Sequence, residues 1–256
     1  MDRQIKIITL DIETSARIGL FFGNTYKASI AKVIQEMYVF GFSYKPLGKK
    51  VKSVYIWDFP LYKKEPRNDI EVIKKWVEIV SDSDIVIGQN SRSFDDKLMM
   101  GRVIVHQLEP PTPFATVDTQ KDTSRIARYD SNKLDDVSKN YGFGGKAETG
   151  GINLWWDCML GDKKAQKKMV SYCEKDVVLT ERRYLRERPY YKNHPAMNVL
   201  TDERDGCPKC GGKRMNKGMK YRATNSNMYQ YYRCQDCGGM SKSRVPEIKV
   251  KPTYVN

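Results

Sequence analysis

The apolar residues of this chain change period several times, and each change marks an element. Residues 4–13 bring Ile5, Ile7, Ile8 and Leu10 together before giving way to acids, as in a buried strand. Residues 37–44 and 51–57 alternate apolar and polar positions, as half-buried antiparallel strands do. Between the first two strands a Gly/Phe/Asn loop is expected over 19–25 and a helical turn over 29–35. From 69 to 80 the apolar positions Ile70, Val72, Ile73, Trp76, Val77 and Val80 follow a helical period, with Asn68 or Asp69 as N-cap. A short central strand at 85–88 precedes a helix over 94–107, and Pro110-Pro111-Thr112-Pro113 makes a rigid break. A strand at 114–117 follows, then Asp118 and Thr119 cap a helix over 120–129. A helix over 131–141 ends in the glycine-rich stretch 142–151, and the last long helix covers 162–186, stopping before Pro189.

Three strands of antiparallel style, then helix, strand, helix, strand and helix, is the order of the ribonuclease-H-like fold. The expected class is therefore α/β, a mixed sheet flanked by helices. This domain is expected over residues 1–195, with a linker at 196–205.

Four of the six cysteines form two Cys-x-x-Cys pairs, Cys207/Cys210 and Cys234/Cys237, with 23 residues between Cys210 and Cys234. Paired thiolates at that spacing suit one tetrahedral Zn²⁺. Glycine after each pair permits a tight turn that points backbone N–H groups at sulfur. A zinc ribbon is expected over 206–245, followed by a basic tail over 246–256. Cys158 and Cys173 read as ordinary free thiols.

Charge narrows the class of partner. The net charge is +14, and residues 201–256 hold twelve Lys/Arg against five Asp/Glu. Such a balance favours a polyanion, nucleic acid above all. In the ribbon, Tyr229, Tyr231 and Tyr232 alternate with cations such as Lys213, Arg214, Lys217, Lys220, Arg222 and Arg233, a surface on which bases stack and phosphates pair. Residues 228–233 read as a strand, with Tyr221 and Arg222 in its partner. Lys163, Lys164, Lys167 and Lys168 open the last helix against the dipole preference, which hints at phosphate contact. No apolar run reaches membrane-spanning length, and Met1-Asp2-Arg3-Gln4 lacks the layout of a signal peptide, so no membrane association and a cytoplasmic location are expected.

The acids carry the candidate chemistry. Asp11 and Glu13 stand two apart at the end of the first strand and therefore project to one face. Buried like charges at that distance call for a cation. Asp95 falls where the fourth strand hands over to a helix, with Asp96 as the alternative at this position. Tyr172 and Asp176, four apart, share one face of the last helix.

Together, Asp11-Ile12-Glu13, Asn90-Ser91-Arg92-Ser93-Phe94-Asp95 and Tyr172-Cys173-Glu174-Lys175-Asp176 resemble the three motifs of the DEDDy 3′–5′ exonucleases, which include the proofreading domains of family A and family B DNA polymerases. Val117-Asp118-Thr119, Ser131-Asn132-Lys133-Leu134 and Gly144-Gly145-Lys146 also resemble stand-alone, phage-type exonucleases; a phage-encoded chain would act in the host cytoplasm. Ser171 stands where the histidine branch of the family would carry His.

The resemblance implies a two-metal hydrolase. Asp11, Glu13 and Asp176 would hold one Mg²⁺ or Mn²⁺, Asp11 would bridge to a second ion, and Asp95 would act largely through bound water. Tyr172 would position the attacking water. Asn90, Phe94 and Lys133 would contact the terminal nucleotides. A single-stranded DNA end is the favoured substrate, with RNA as an alternative, and a DNA polymerase or replication protein would be served in trans. Two other functions compete: a non-catalytic nucleic-acid-binding adaptor, and a structure-specific endonuclease of the same fold.

Overall fold

The structure, a computed structural model, describes residues 5–23, 29–223 and 227–249. Among the described residues two compact units emerge, one of residues 6–23, 29–120 and 129–183, the other of residue 5 and residues 121–128, 184–223 and 227–249. The contacts thus divide the chain at 183/184, inside its longest helix, where the sequence suggested a boundary at 195.

In the larger unit the strands are β1 (Ile7–Thr14), β2 (Ile18–Leu20), β3 (Lys32–Gln35), β4 (Val39–Pro46), β5 (Lys52–Tyr55), β6 (Ile85–Gly88) and β7 (Ala115–Asp118). Five of them form one mixed sheet in the order β5-β4-β1-β6-β7. β4 runs antiparallel to β1, whereas β6 runs parallel to β1 and β7 parallel to β6. β1 is thereby central and buried on both faces at Ile7, Ile8, Thr9 and Leu10, which is why its sequence reads as a continuous apolar run.

The helices supply the rest of the core. α1 (Ile70–Ser81) buries Val72, Ile73, Trp76 and Val80, four of the positions picked out by its period. α2 (Asp95–Val105) adds Met99 and Val103. α3 (Thr119–Ser124) and α4 (Leu134–Asn140) are shorter than the expected helices over 120–129 and 131–141. α5 (Ile152–Met159) contributes Leu154 and Cys158, and α6 (Lys163–Glu187) contributes Met169 and Cys173.

A buried carboxylate fastens the first helix to the sheet. Asp69 accepts hydrogen bonds from the Val39 amide at 2.8 Å and from Arg102 Nε and Nη2 at 2.9 and 2.7 Å, and lies 2.6 Å from His106 Nε2. His106 belongs to this anchor.

Two expectations are corrected. Residues 29–35 do not form a helical turn: β3 pairs antiparallel with β2, Leu20 opposite Lys32 and Ile18 opposite Gln35. The β-branched Ile30, Val33 and Ile34 favour the extended form. α5 occupies a stretch for which no element was expected. Residues 24 and 25 of the expected loop lie outside the described residues.

Gly41 sits opposite Glu13 in the β1–β4 register. A Cβ there would stand 2.5 Å from the Tyr55 ring and closer still to the Val54 carbonyl oxygen. Only glycine lets that ring cross the strand.

The smaller unit is built on β9 (Asn227–Cys234), which pairs antiparallel with β8 (Met215–Ala223), β10 (Met240–Lys242) and β11 (Ile248–Lys249). The expected linker holds a short helix, α7 (Met197–Leu200), whose Met197 amide donates to the Pro208 carbonyl at 2.9 Å. His194 accepts from the Tyr184 hydroxyl at 2.8 Å while Nδ1–H donates to the Pro195 carbonyl at 2.8 Å. The side chains of Lys220, Tyr221 and Arg222, and tail residues 250–256, lie outside what is described.

Candidate active site and four-cysteine centre

The acid cluster grows from where strand pairing stops. β1 and β6 pair from Ile7↔Ile85 to Thr9↔Ile87 and no further. Beyond Thr9 the β6 side of β1 is open to side chains, and the Ile12 amide donates to the Asp95 carboxylate. Asp95 is the first residue of α2 and only 6% exposed. Its neighbour Asp96 instead accepts from Thr116 and is drawn to Arg92. Of the two adjacent acids, Asp95 is the one that faces β1.

Asp118 builds the turn that leads there. Fully buried, it accepts from the amides of Asn90 (3.0 Å), Arg92 (3.2 Å) and Gln120 (3.0 Å). Asn90 sits at φ 61°, a left-handed position that asparagine tolerates. The Gln120 bond is the expected helix cap; the other two reach 28 and 26 residues back and set the approach to Asp95.

α6 brings the third group. The Tyr172 hydroxyl hydrogen-bonds to Asp176 one turn on, and Lys146 Nζ lies 2.5 Å from Asp176 Oδ2 and 4.9 Å from the centre of the Tyr172 ring. Lys146 reaches this position from the glycine-rich loop, where Gly142, Gly144, Gly150 and Gly151 take positive φ. The loop is pinned by the Lys146 amide donating to Asp135 Oδ1 at 2.7 Å. Trp155, from α5, hydrogen-bonds to Glu13 and packs edge-on against Tyr172, ring centres 6.1 Å apart.

Mutual repulsion and burial leave these carboxyls reluctant to ionise. Burial first, then Asp95, Glu13 and Asp176, hold Asp11 well above its ordinary range, with Lys146 pulling the other way. Burial and then Asp176 push Glu13 to about 8, against Lys146. Burial chiefly lifts Asp95 to about 7. Asp176 is raised by burial although Lys146 opposes it. Burial also takes Tyr172 up to about 12, so its hydroxyl stays protonated.

Such a cluster fits a divalent cation. Asp176 Oδ1 is buried with no hydrogen-bond partner among the described residues, which leaves a lone pair there open to a cation. Asp11, Glu13 and Cys173 offer ligand atoms within 4.8 Å of one another. Burial holds the Cys173 thiol well above its usual range, and it donates to the Asp11 carbonyl at 3.4 Å. It therefore buttresses Asp11 as a protonated thiol, a more specific position than that of an ordinary free cysteine. The remaining donors are carboxylate oxygens, the ligands of Mg²⁺ or Mn²⁺.

Not every expected site residue joins the cluster. Phe94 precedes α2 and is 46% exposed, and Lys133 is exposed at the N-cap of α4. Lys146, Trp155 and the positioning of residues 90–92 by Asp118 had escaped the sequence as site features. The glycine run around Lys146 was a usable signal; nothing local distinguished Trp155 from a packing residue.

In the smaller unit the sulfurs of Cys207, Cys210, Cys234 and Cys237 lie within 4.8 Å of one another, with Cys207–Cys237 at 3.8 Å and Cys210–Cys234 at 3.6 Å. A tetrahedron with Zn–S bonds of ~2.3 Å has edges of about 3.8 Å, so the cluster fits zinc. The amides of Lys209, Gly212, Asp236 and Gly239 each donate to one of the four sulfurs at 3.4 Å. Gly211 and Gly238 make the two turns at φ 76° and 78°.

No curated protein matches the chain. Among solved structures it is similar to the family B DNA polymerase from the hyperthermophilic archaeon Pyrobaculum calidifontis, at 17% identity and a TM-score of 0.54. That match covers 73% of this chain and 25% of the polymerase, and it is a likeness of fold. Among the described residues no helix is long and apolar enough to cross a membrane. The family model of the RNase_H superfamily matches residues 30–185, which include Asp95, Lys146, Tyr172 and Asp176 and begin beyond Asp11 and Glu13. With over half its length matched, the chain belongs to the RNase_H superfamily.

Proposed function

We propose that this chain is a metal-dependent 3′–5′ exonuclease that shortens nucleic-acid 3′ ends, with single-stranded DNA as favoured substrate. The observation that supports the reading is the mutual electrostatic coupling of Asp11, Glu13, Asp95 and Asp176, carried by three separate elements, with the Tyr172 hydroxyl bonded to Asp176. These four acids would hold two Mg²⁺ or Mn²⁺ ions. Such ions, when bound, lower the pKa of an attacking water and offset charge on the leaving oxygen. Tyr172, kept protonated, orients that water from beside Asp176. Trp155 holds Glu13 in place and helps to exclude bulk solvent. Asn90 and Phe94 shape the pocket for the terminal nucleotide, and Lys133 meets a phosphate. The smaller unit, stapled by one structural Zn²⁺, grips nucleic acid through its tyrosines and cations. A polymerase or replication protein would be served in trans.

The test is digestion of a 3′- or 5′-end-labelled oligonucleotide with Mg²⁺, beside Asp11→Ala and Asp176→Ala chains and a circular single-stranded substrate. A ladder receding from the 3′ end, lost in both variants, with the circle intact, is expected. Cleavage of the circle would mean an endonuclease, and binding without any ladder would mean an adaptor.

A further inference from the structure

We propose that the outward face of α5 is the path along which a single strand approaches the acid cluster, its bases stacking on Trp156 and its phosphates meeting the lysines that open α6. The inference rests on the nuclease reading above and adds the track by which substrate reaches that site. Ile152, Trp156 and Leu160 recur every fourth residue and are 68%, 48% and 67% exposed. At ~1.5 Å per residue they form an apolar stripe about 12 Å long. The inward side of α5 is already occupied: Leu154 and Cys158 lie in the core, and Trp155 touches Glu13 and Tyr172. Packing therefore accounts for one face of α5 and not for the other, since a surface helix needs only one apolar stripe. The stripe is also fixed in place, because Trp156 follows directly on a residue held by the acid cluster.

Charge selects the occupant. Lys163, Lys164, Lys167 and Lys168 follow Leu160 and are all exposed. Lys163 bonds to Gln166 Oε1 at 3.1 Å, and Lys168 bonds to the Thr149 carbonyl at 3.0 Å. Lys164 and Lys167 form no ion pair among the described residues. The nearby acids are Asp157, beside Trp156, and Asp162, whose carboxylate caps α6 by accepting from the Ala165 amide at 2.7 Å. An apolar protein surface would use the stripe and leave the lysines unmatched. A single nucleic-acid strand uses both, because every base has a π-face and every linkage a charge.

The test is equilibrium binding of (dT)4 and (dT)12 to the full chain without added Mg²⁺ or Mn²⁺, followed by tryptophan fluorescence over a range of salt. For wild type, quenching and tighter binding of (dT)12 are expected. Trp156→Ala should bind (dT)12 roughly ten-fold more weakly and narrow its advantage over (dT)4, and Trp156→Phe should recover most of the loss. Lys164→Gln with Lys167→Gln should lower the slope of log affinity against log salt by about 1.4, ~0.7 for each phosphate contact. Thermal melts equal to wild type establish that each variant is folded. Unchanged affinity and slope overturn the proposal, as does a dimer that Trp156→Ala dissolves, which would make the stripe a contact between copies. Binding here requires no hydrolysis, so the two readings separate. A chain that binds as described yet digests nothing keeps the path and loses the nuclease; one that digests 3′ ends with Trp156 irrelevant does the reverse.

Discussion

Lys146 places its ammonium 2.5 Å from Asp176 Oδ2 and over the Tyr172 ring, so the chain supplies a cation of its own to a crowded set of acids. A divalent ion entering the cluster must share the carboxylates with it. Lys146→Met should therefore bind Mn²⁺ several-fold more tightly by calorimetry. The same variant should be about 1–3 kcal/mol less stable without metal, because a buried carboxylate loses its partner. Weaker Mn²⁺ binding would mean that Lys146 assists the ion instead of competing with it.

Acidity sets the second expectation. Folded Glu13 keeps its proton up to about pH 8, whereas an ordinary glutamate in the unfolded chain loses it near 4.5. Between those values the unfolded chain is the one that releases the proton, so metal-free stability falls as pH rises, by up to about 1.4 kcal/mol per unit from this residue. Asp95, lifted to about 7, acts in the same direction below that pH. Metal must displace these protons, so Mn²⁺ affinity should climb from pH 6 to 8 with proton release. Calorimetry in buffers of different ionisation heat checks this, and a flat profile would contradict the buried, protonated cluster.

Tyr172→Phe removes a hydroxyl and leaves the ring against Trp155 and Lys146. Turnover should drop by about ten- to a hundred-fold, while affinity for a 3′-ended oligonucleotide changes little. Equal kcat for the variant would deny the hydroxyl its place in the reaction.

Asp118→Ala leaves the Asn90 and Arg92 amides without their acceptor. A loss of about 2–3 kcal/mol in stability is expected by denaturant titration. Turnover should fall too, since the turn that aims Asp95 is released. Wild-type stability would show that these amides find other partners.

Cys234→Ser should abolish stoichiometric zinc and weaken oligonucleotide binding, measured by metal analysis and fluorescence titration. Full zinc retention would remove Cys234 from the ligand set.

Much of this was legible in the sequence because the signals were local and physically redundant. The period of 70–80 admits one helix face, and the β1 run ending in Asp11 and Glu13 admits a central strand. The two knuckles carry their ligands, turn glycines and sulfur-directed amides within six residues each. Where the reading failed, one pattern served two structures. Ile30, Val33 and Ile34 fit a helical spacing as well as a hairpin edge, and the pairing with Ile18–Leu20 that decided it lies a dozen residues away. Trp155 packs as any buried-side tryptophan would, but the ring it packs on belongs to Tyr172. Asp118 caps α3 as expected, yet its reach to Asn90 and Arg92 is a tertiary bond that no local window contains.

The amides of Lys209, Gly212, Asp236 and Gly239, each directed at one sulfur, bear on what the smaller unit can tolerate nearby. Zinc with four thiolates would be a dianion within a stretch of chain rich in lysine and arginine. Backbone dipoles converging on that dianion spread its charge into the peptide frame, so a passing phosphate would be repelled less by the metal centre than its formal charge implies.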